Sequence, residues 1–132
     1  DGDLDVVASV PTSKTLNLHW LENNNTVGIW PVRVISQQEG GGDVIAIGDV
    51  DKDGDLDLVS SSAASLLTQW FRNPGPAALT SGAQVPWDVF NVGELIGVPG
   101  AINQVQLVDL NGDTNLDVFV TAYDSQQALG SV

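Results

Sequence analysis

Gly48-Asp-Val-Asp-Lys-Asp-Gly-Asp-Leu-Asp-Leu-Val59 is the stretch on which the reading of this chain turns. Asp49, Asp51, Asp53, Asp55 and Asp57 stand at alternate positions, with Lys52 the one cation among them. Carboxylates this close repel one another. The segment is therefore either a solvated acidic loop or a loop that gathers its oxygens around a cation. Gly54, sixth counting from Asp49, favours the cation. Glycine permits the left-handed turn that folds alternate side chains onto one centre.

The pattern recurs on both sides. Asp53-Gly-Asp-Leu-Asp-Leu-Val59 repeats Asp1-Gly-Asp-Leu-Asp-Val-Val7 at an offset of 52 residues, and Asp113-Thr-Asn-Leu-Asp-Val-Phe119 repeats it again, degenerately, 60 residues further on. A second landmark follows the loops. Leu18-His-Trp-Leu-Glu-Asn23 matches Thr68-Gln-Trp-Phe-Arg-Asn73, and Trp30-Pro-Val-Arg-Val-Ile35 matches Trp87-Asp-Val-Phe-Asn-Val92. All four tryptophans fall within the repeat. That placement assigns them to packing between repeats, because large aromatics dominate core burial.

Between these landmarks, short β-branched runs separated by Gly, Pro and Asn predict strands over 4–9, 16–22, 32–36, 44–49, 56–61, 66–72, 89–92, 104–109 and 116–122, with a last run near 128–132. No stretch of helical period reaches ten residues. The expected fold is all-β, built of four-stranded antiparallel sheets that are the blades of a β-propeller. At ~55 residues per blade the chain supplies roughly 2.4 blades. The expected organisation is a single propeller fragment over 1–132, in units of about 1–48, 49–108 and a partial 109–132.

The loops and the tryptophan landmarks resemble the FG-GAP and VCBS-type repeats of integrin α-chain propellers and of many secreted proteins. The resemblance runs along essentially the whole chain, and such repeats more often build seven blades. It implies that each loop joins the first two strands of a blade and binds calcium through its positions one, three, five, seven and nine. Carried over, the ligands of the central loop are Asp49, Asp51, Asp53, the main-chain carbonyl of Asp55, and Asp57 as a bidentate carboxylate. Those of the third loop are Asp109, Asn111, Asp113, the carbonyl of Asn115, and Asp117, with Thr114 where the pattern has glycine. Its two asparagines lower the charge, so the third site is expected to bind more weakly. The first loop is cut, leaving Asp1, the carbonyl of Asp3, and Asp5. Calcium suits short carboxylates on a tight loop, since it takes six to eight oxygens at ~2.3–2.6 Å, whereas magnesium demands a smaller octahedron. A chain that starts inside a metal loop reads as a fragment, with further blades supplied by the same or another chain. The loops are expected to line up on one face near the rim without converging on a shared pocket.

Composition removes other function classes. Seventeen acidic side chains against four basic ones give a net charge of −13, which argues against nucleic acid as a partner because that affinity comes from Lys and Arg on phosphates. No apolar run approaches the ~20 residues of a membrane span, so no membrane insertion is expected. The absence of cysteine removes disulfides, zinc thiolates and a thiol nucleophile. The single histidine, His19, lies beside the repeated Trp20 at the position equivalent to Gln69, and reads as a strand position with no catalytic role. Asn24-Asn25-Thr26 is a glycosylation sequon that reads as a surface turn. The segment from Arg72 to Trp87 is seven residues longer than its counterpart from Glu22 to Trp30, and Gly93 to Ile102 is three residues longer than its own. Such insertions are either tolerated loops or recognition elements. Three readings follow. The leading one is a non-catalytic, calcium-stabilised extracellular module, secreted or at the cell surface, that binds a carbohydrate or protein ligand in adhesion. The second is the propeller scaffold of a larger secreted enzyme, a lyase or hydrolase whose catalytic residues lie outside this chain. The third is a self-assembling repeat that closes a ring or fibre.

Overall fold

A computed structural model describes residues 2–11, 16–36, 42–63, 65–79, 86–94 and 101–123. Among the described residues nine strands form three antiparallel sheets. The first sheet holds β1 (Val6–Pro11), β2 (Leu16–Leu21) and β3 (Val32–Ser36) in that order. The second holds β4 (Val44–Gly48), β5 (Asp57–Ser62), β6 (Leu67–Arg72) and β7 (Asp88–Glu94). The third holds β8 (Ala101–Val108) and β9 (Asp117–Tyr123). A single helical turn, α1 (Pro76–Leu79), lies in the longer β6–β7 connection. No described helix is long and apolar enough to cross a membrane.

The fold is all-β and its sheets are blade-like, as the sequence predicts; the second carries the full complement of four antiparallel strands. The strand predictions locate all nine strands, with one matched end to end at 32–36. The run near 128–132 lies outside the described residues. The acidic loops join β4 to β5 and β8 to β9, the first two strands of their sheets. Sheet boundaries therefore fall one strand earlier than the loop-to-loop repeat, because β4 precedes its loop yet pairs with β5.

Strand register shows how the repeat becomes packing. Antiparallel partners lie on one face of a sheet and successive residues on opposite faces. In the first sheet Val7, Trp20 and Arg33 form one cross-strand row, and Val6, Leu21 and Val32 form the row on the other face. The second sheet repeats this with Val59, Trp70 and Phe90 in one row and Leu58, Phe71 and Val89 in the other. Even the irregularity is shared: the register shifts between Leu18 and His19 and, at the equivalent place, between Thr68 and Gln69. Leu18, Ile35, Leu58 and Phe71 are buried in one cluster, with Val7, Trp20, Ile45, Trp87 and Val89 packed against it. The tryptophan row of the first sheet thus packs onto the Leu58–Phe71–Val89 row of the second. Trp20 and Trp87 are packing residues, as expected of recurring aromatics.

The equivalent rows diverge in their chemistry. Arg33 places its guanidinium 5.3 Å over the Trp20 ring and pairs with Glu22 at 2.8 Å. At the matching site Phe90 stacks on Trp70 with centroids 4.7 Å apart. The third sheet lies with β8 against β4 and β5. Its approach requires Gly48, where an added Cβ would sit 2.9 Å from Leu107 Cδ1 and 3.1 Å from Leu116 Cδ1. His19 is a half-buried residue of β2, paired in register with Ala8 and Val34. The sequon forms an exposed turn in which Thr26 Oγ1 donates to Asn24 Oδ1 at 2.5 Å.

Candidate metal centre

The central loop folds by turning its own backbone N–H groups onto its carboxylates. Asp49 accepts the N–H of Asp53 at Oδ1 and of Gly54 at Oδ2, both at 3.1 Å, and Asp53 Oδ1 accepts the N–H of Asp55 at 2.9 Å. Asp57, at the start of β5, is 1% exposed. Its Oδ2 accepts the N–H of Val50 at 3.1 Å and its Oδ1 the N–H of Asn73 at 2.8 Å. Burying a carboxylate is costly unless its oxygens are hydrogen-bonded or paired with a cation. Carboxylate oxygens of Asp49, Asp51 and Asp57 come within 4.8 Å of one another. That span is about twice a calcium–oxygen distance, so all three oxygens can touch one hard cation. The donor set fits such an ion: oxygen only, anionic and carried on a tight loop.

Not every predicted ligand enters this trio. Asp53 stays outside it and Asp55 is half-buried in the same loop. Partial desolvation, then the charges of Asp53 and Asp57, push the Asp51 carboxyl above its ordinary value. The repulsion inferred from the sequence therefore falls on the third position, where a cation would relieve it.

The third loop repeats the backbone pattern with fewer charges. Asp109 Oδ1 accepts the N–H groups of Gly112 and Asp113 at 2.7 and 3.1 Å, and its Oδ2 accepts that of Thr114 at 2.8 Å. Asp117 Oδ2 accepts the N–H of Leu110 at 3.0 Å, as Asp57 does that of Val50. Asn111 stands where Asp51 does, and its amide donates to Asp113 Oδ2 at 3.1 Å. The backbone N–H of Asn115 above all, and then the Asn111 amide, hold the Asp113 carboxyl below its ordinary value. Among the described residues no second trio of acidic or imidazole side chains comes together. In the first loop Asp1 lies outside the described residues, while Asp3 Oδ2 accepts from Asn25 Nδ2 at 2.5 Å and Asp5 Oδ1 from the Asn23 N–H at 2.7 Å.

Both complete loops need two left-handed residues. These are Lys52 (φ 63°) and Gly54 (φ 94°) in the central loop, and Gly112 (φ 79°) and Thr114 (φ 71°) in the third. Each loop thus places glycine at one of the two positions and a strained residue at the other. The departure of Thr114 from the pattern is carried by backbone strain, not by a different loop. A β-branched residue there costs about 1–2 kcal/mol, while glycine adds about 0.5–1 kcal/mol of chain entropy. Thr114→Gly is therefore expected to stabilise the fold by about 0.5 kcal/mol, read as a higher urea midpoint. A lower midpoint would show that the threonine side chain matters more than its backbone.

The loops gather at one end of the stack. Lys52 Nζ donates to Thr114 Oγ1 at 2.9 Å, joining the central and third loops. The first and central loops are less separate than expected, because Asp3, Asp5 and Asp57 line one cavity of about 320 Å³ with Trp20 and Trp87. Asp49, Asp51 and Asp53 and the third loop do not line it.

Two residues outside the loops complete the geometry. Asn73 donates its backbone N–H to Asp57, and Asn23 does the same for Asp5. Their signal in the sequence is the recurrence of Trp-x-x-Asn in both repeats, at 20–23 and 70–73. No curated protein and no solved structure matches the chain. Residues 1–60 match the family model of the FG-GAP-like repeat, and the chain carries a repeat of that type.

Proposed function

We propose that the chain is a calcium-stabilised extracellular module whose blades serve as a rigid scaffold for binding or adhesion, with a carbohydrate or a protein as ligand. The observation that carries this reading is the convergence of Asp49, Asp51 and Asp57 within 4.8 Å in a loop of the FG-GAP-like pattern. Calcium is the ion, because the donors are all oxygen and the loop is short and anionic. The loops lie where sheet meets connection, so an ion there pins β4 to β5 without serving a reaction. Extracellular modules work with sites of about 10⁻⁴–10⁻³ M, a range that suits loops that remain largely exposed and that supports the extracellular reading.

The propeller is larger than the sheets described. In the first sheet Val6 and Val32, 46% and 53% exposed, occupy the row equivalent to Leu58 and Val89, which in the second sheet is packed under a neighbouring blade. A further blade of the same kind, in a ring of about seven, buries that row. The proposed role is not enzymatic: the carboxylates serve the ions, and ligand contacts fall to the connections.

Thermal unfolding in millimolar calcium, in chelator and in millimolar magnesium tests the calcium reading. An ion that binds only the folded chain adds about 2.7 kcal/mol at a hundredfold excess over Kd, which is about 10 °C in Tm at this size. Calcium is expected to give that rise and magnesium a much smaller one. Equal midpoints in calcium and chelator would remove the reading.

A further inference from the structure

Asp57 is held from two directions. Val50, just inside the loop, secures one oxygen, and Asn73, beyond the far end of β6, secures the other. The Asn73 side chain is fully engaged on its own account. Its Nδ2 donates to the carbonyl of Leu56 at 3.0 Å, and its Oδ1 accepts the N–H of Gly75 at 3.0 Å. The side chain therefore fixes the backbone of Asn73 at both ends, and that backbone aims its N–H at the carboxylate. The first sheet repeats all three bonds. Asn23 donates its N–H to Asp5 Oδ1 at 2.7 Å and its Nδ2 to the carbonyl of Leu4 at 3.2 Å, and its Oδ1 accepts the N–H of Asn25 at 3.0 Å. The partners are 16 positions apart in one case and 18 in the other, and the residues that follow each asparagine differ. A local turn preference alone does not reproduce the same three bonds on the same loop position.

From this we infer that Asn73 is a positioning residue for the calcium loop, locking the Asp57 carboxylate toward Asp49 and Asp51, and that Asn23 plays the same part for Asp5. The inference rests on the calcium reading of the loop. Each Asp57 oxygen spends one acceptor site on a backbone donor and keeps another for the ion. Without the Asn73 side chain the backbone N–H is no longer held on the Asp57 oxygen, the carboxylate rotates more freely, and the ion must order it on binding. Outer partners of this kind are worth roughly 10–100-fold in metal affinity.

The test is a calorimetric titration of the whole chain with calcium, in an Asp109→Ala background so that the central loop is the complete site being read. Asn73→Ala is expected to weaken calcium binding about tenfold and to shrink the difference in Tm between calcium and chelator. Asn73→Ser, which keeps a short acceptor for the Gly75 N–H, is expected to recover part of both, and it is the variant to read should the alanine fail to fold. Asn91→Ala removes the bond from Gln69 Nε2 in the same sheet and serves as the control for simple destabilisation. It should lower Tm equally in both conditions and leave the calcium affinity unchanged. Wild-type affinity in both Asn73 variants would overturn the inference and leave the calcium reading intact. No calcium binding by the unsubstituted Asn73 chain would overturn both.

Discussion

Asp57→Ala is expected to destabilise the chain in chelator by about 3 kcal/mol and to abolish the calcium-dependent rise in Tm contributed by the central loop. The two losses have separate causes. Asp57 is 1% exposed, and both its oxygens accept backbone N–H groups, from Val50 and Asn73. Alanine leaves those donors without an acceptor, at about 1–3 kcal/mol each. That part of the effect needs no metal. The second part appears only with calcium, because the trio loses its most buried member. At a hundredfold excess of ion it is about 2.7 kcal/mol more. Asp57→Asn separates the two: its carbonyl oxygen still accepts one N–H, so the loss in chelator is smaller, while the calcium increment is still lost. Asp53→Ala, which lies outside the trio, is expected to keep part of the increment. Urea unfolding of the four chains in both conditions checks the scheme. An Asp57→Ala chain that keeps a full calcium increment would show that the ion sits elsewhere.

What the sequence conveys here follows the range of the interactions involved. Strand and turn positions were readable because they depend on neighbours two to four residues apart, and the repeat fixes them twice over. The loop was readable for the same reason, since alternate aspartates and a glycine are local chemistry. Convergence was not. Five carboxylates at alternate positions do not say which three meet, and the structure selects Asp49, Asp51 and Asp57. The run Ser60-Ser61-Ser62 was equally opaque. Three serines at a strand end suggest an exposed edge, yet all are buried, since β5 lies between β4 and β6 and has a sheet on either face. Ser61 meets the demand for a partner through Thr68, oxygen to oxygen at 2.8 Å across the strands. Asn23 and Asn73 were visible only as repeated letters. The carboxylates that accept their backbone N–H groups lie a whole hairpin away, and no local rule connects the two.

Phe71→Ala is expected to cost about 3–5 kcal/mol, a large part of the 5–15 kcal/mol typical of a domain. Phe71 is fully buried, at the centre of the row Leu58–Phe71–Val89 and under the tryptophan row of the first sheet. Its ring cannot be replaced from solvent, so truncation leaves a cavity between two sheets. Leu21 holds the same lattice position in the first sheet, paired with Val6 and Val32 on the face turned away from the second. That side chain is partly buried, and Leu21→Ala is expected to cost only about 1 kcal/mol because water already reaches the row. In the 132-residue chain by itself the contrast tests the packing: equal losses at Phe71 and Leu21, read from urea midpoints at unchanged slope, would contradict the order in which the rows meet. The same pair of substitutions also tests the larger propeller. With another blade seated on the first sheet, Leu21 takes on the environment of Phe71, and its truncation should then cost about 2–5 kcal/mol, as core leucines do.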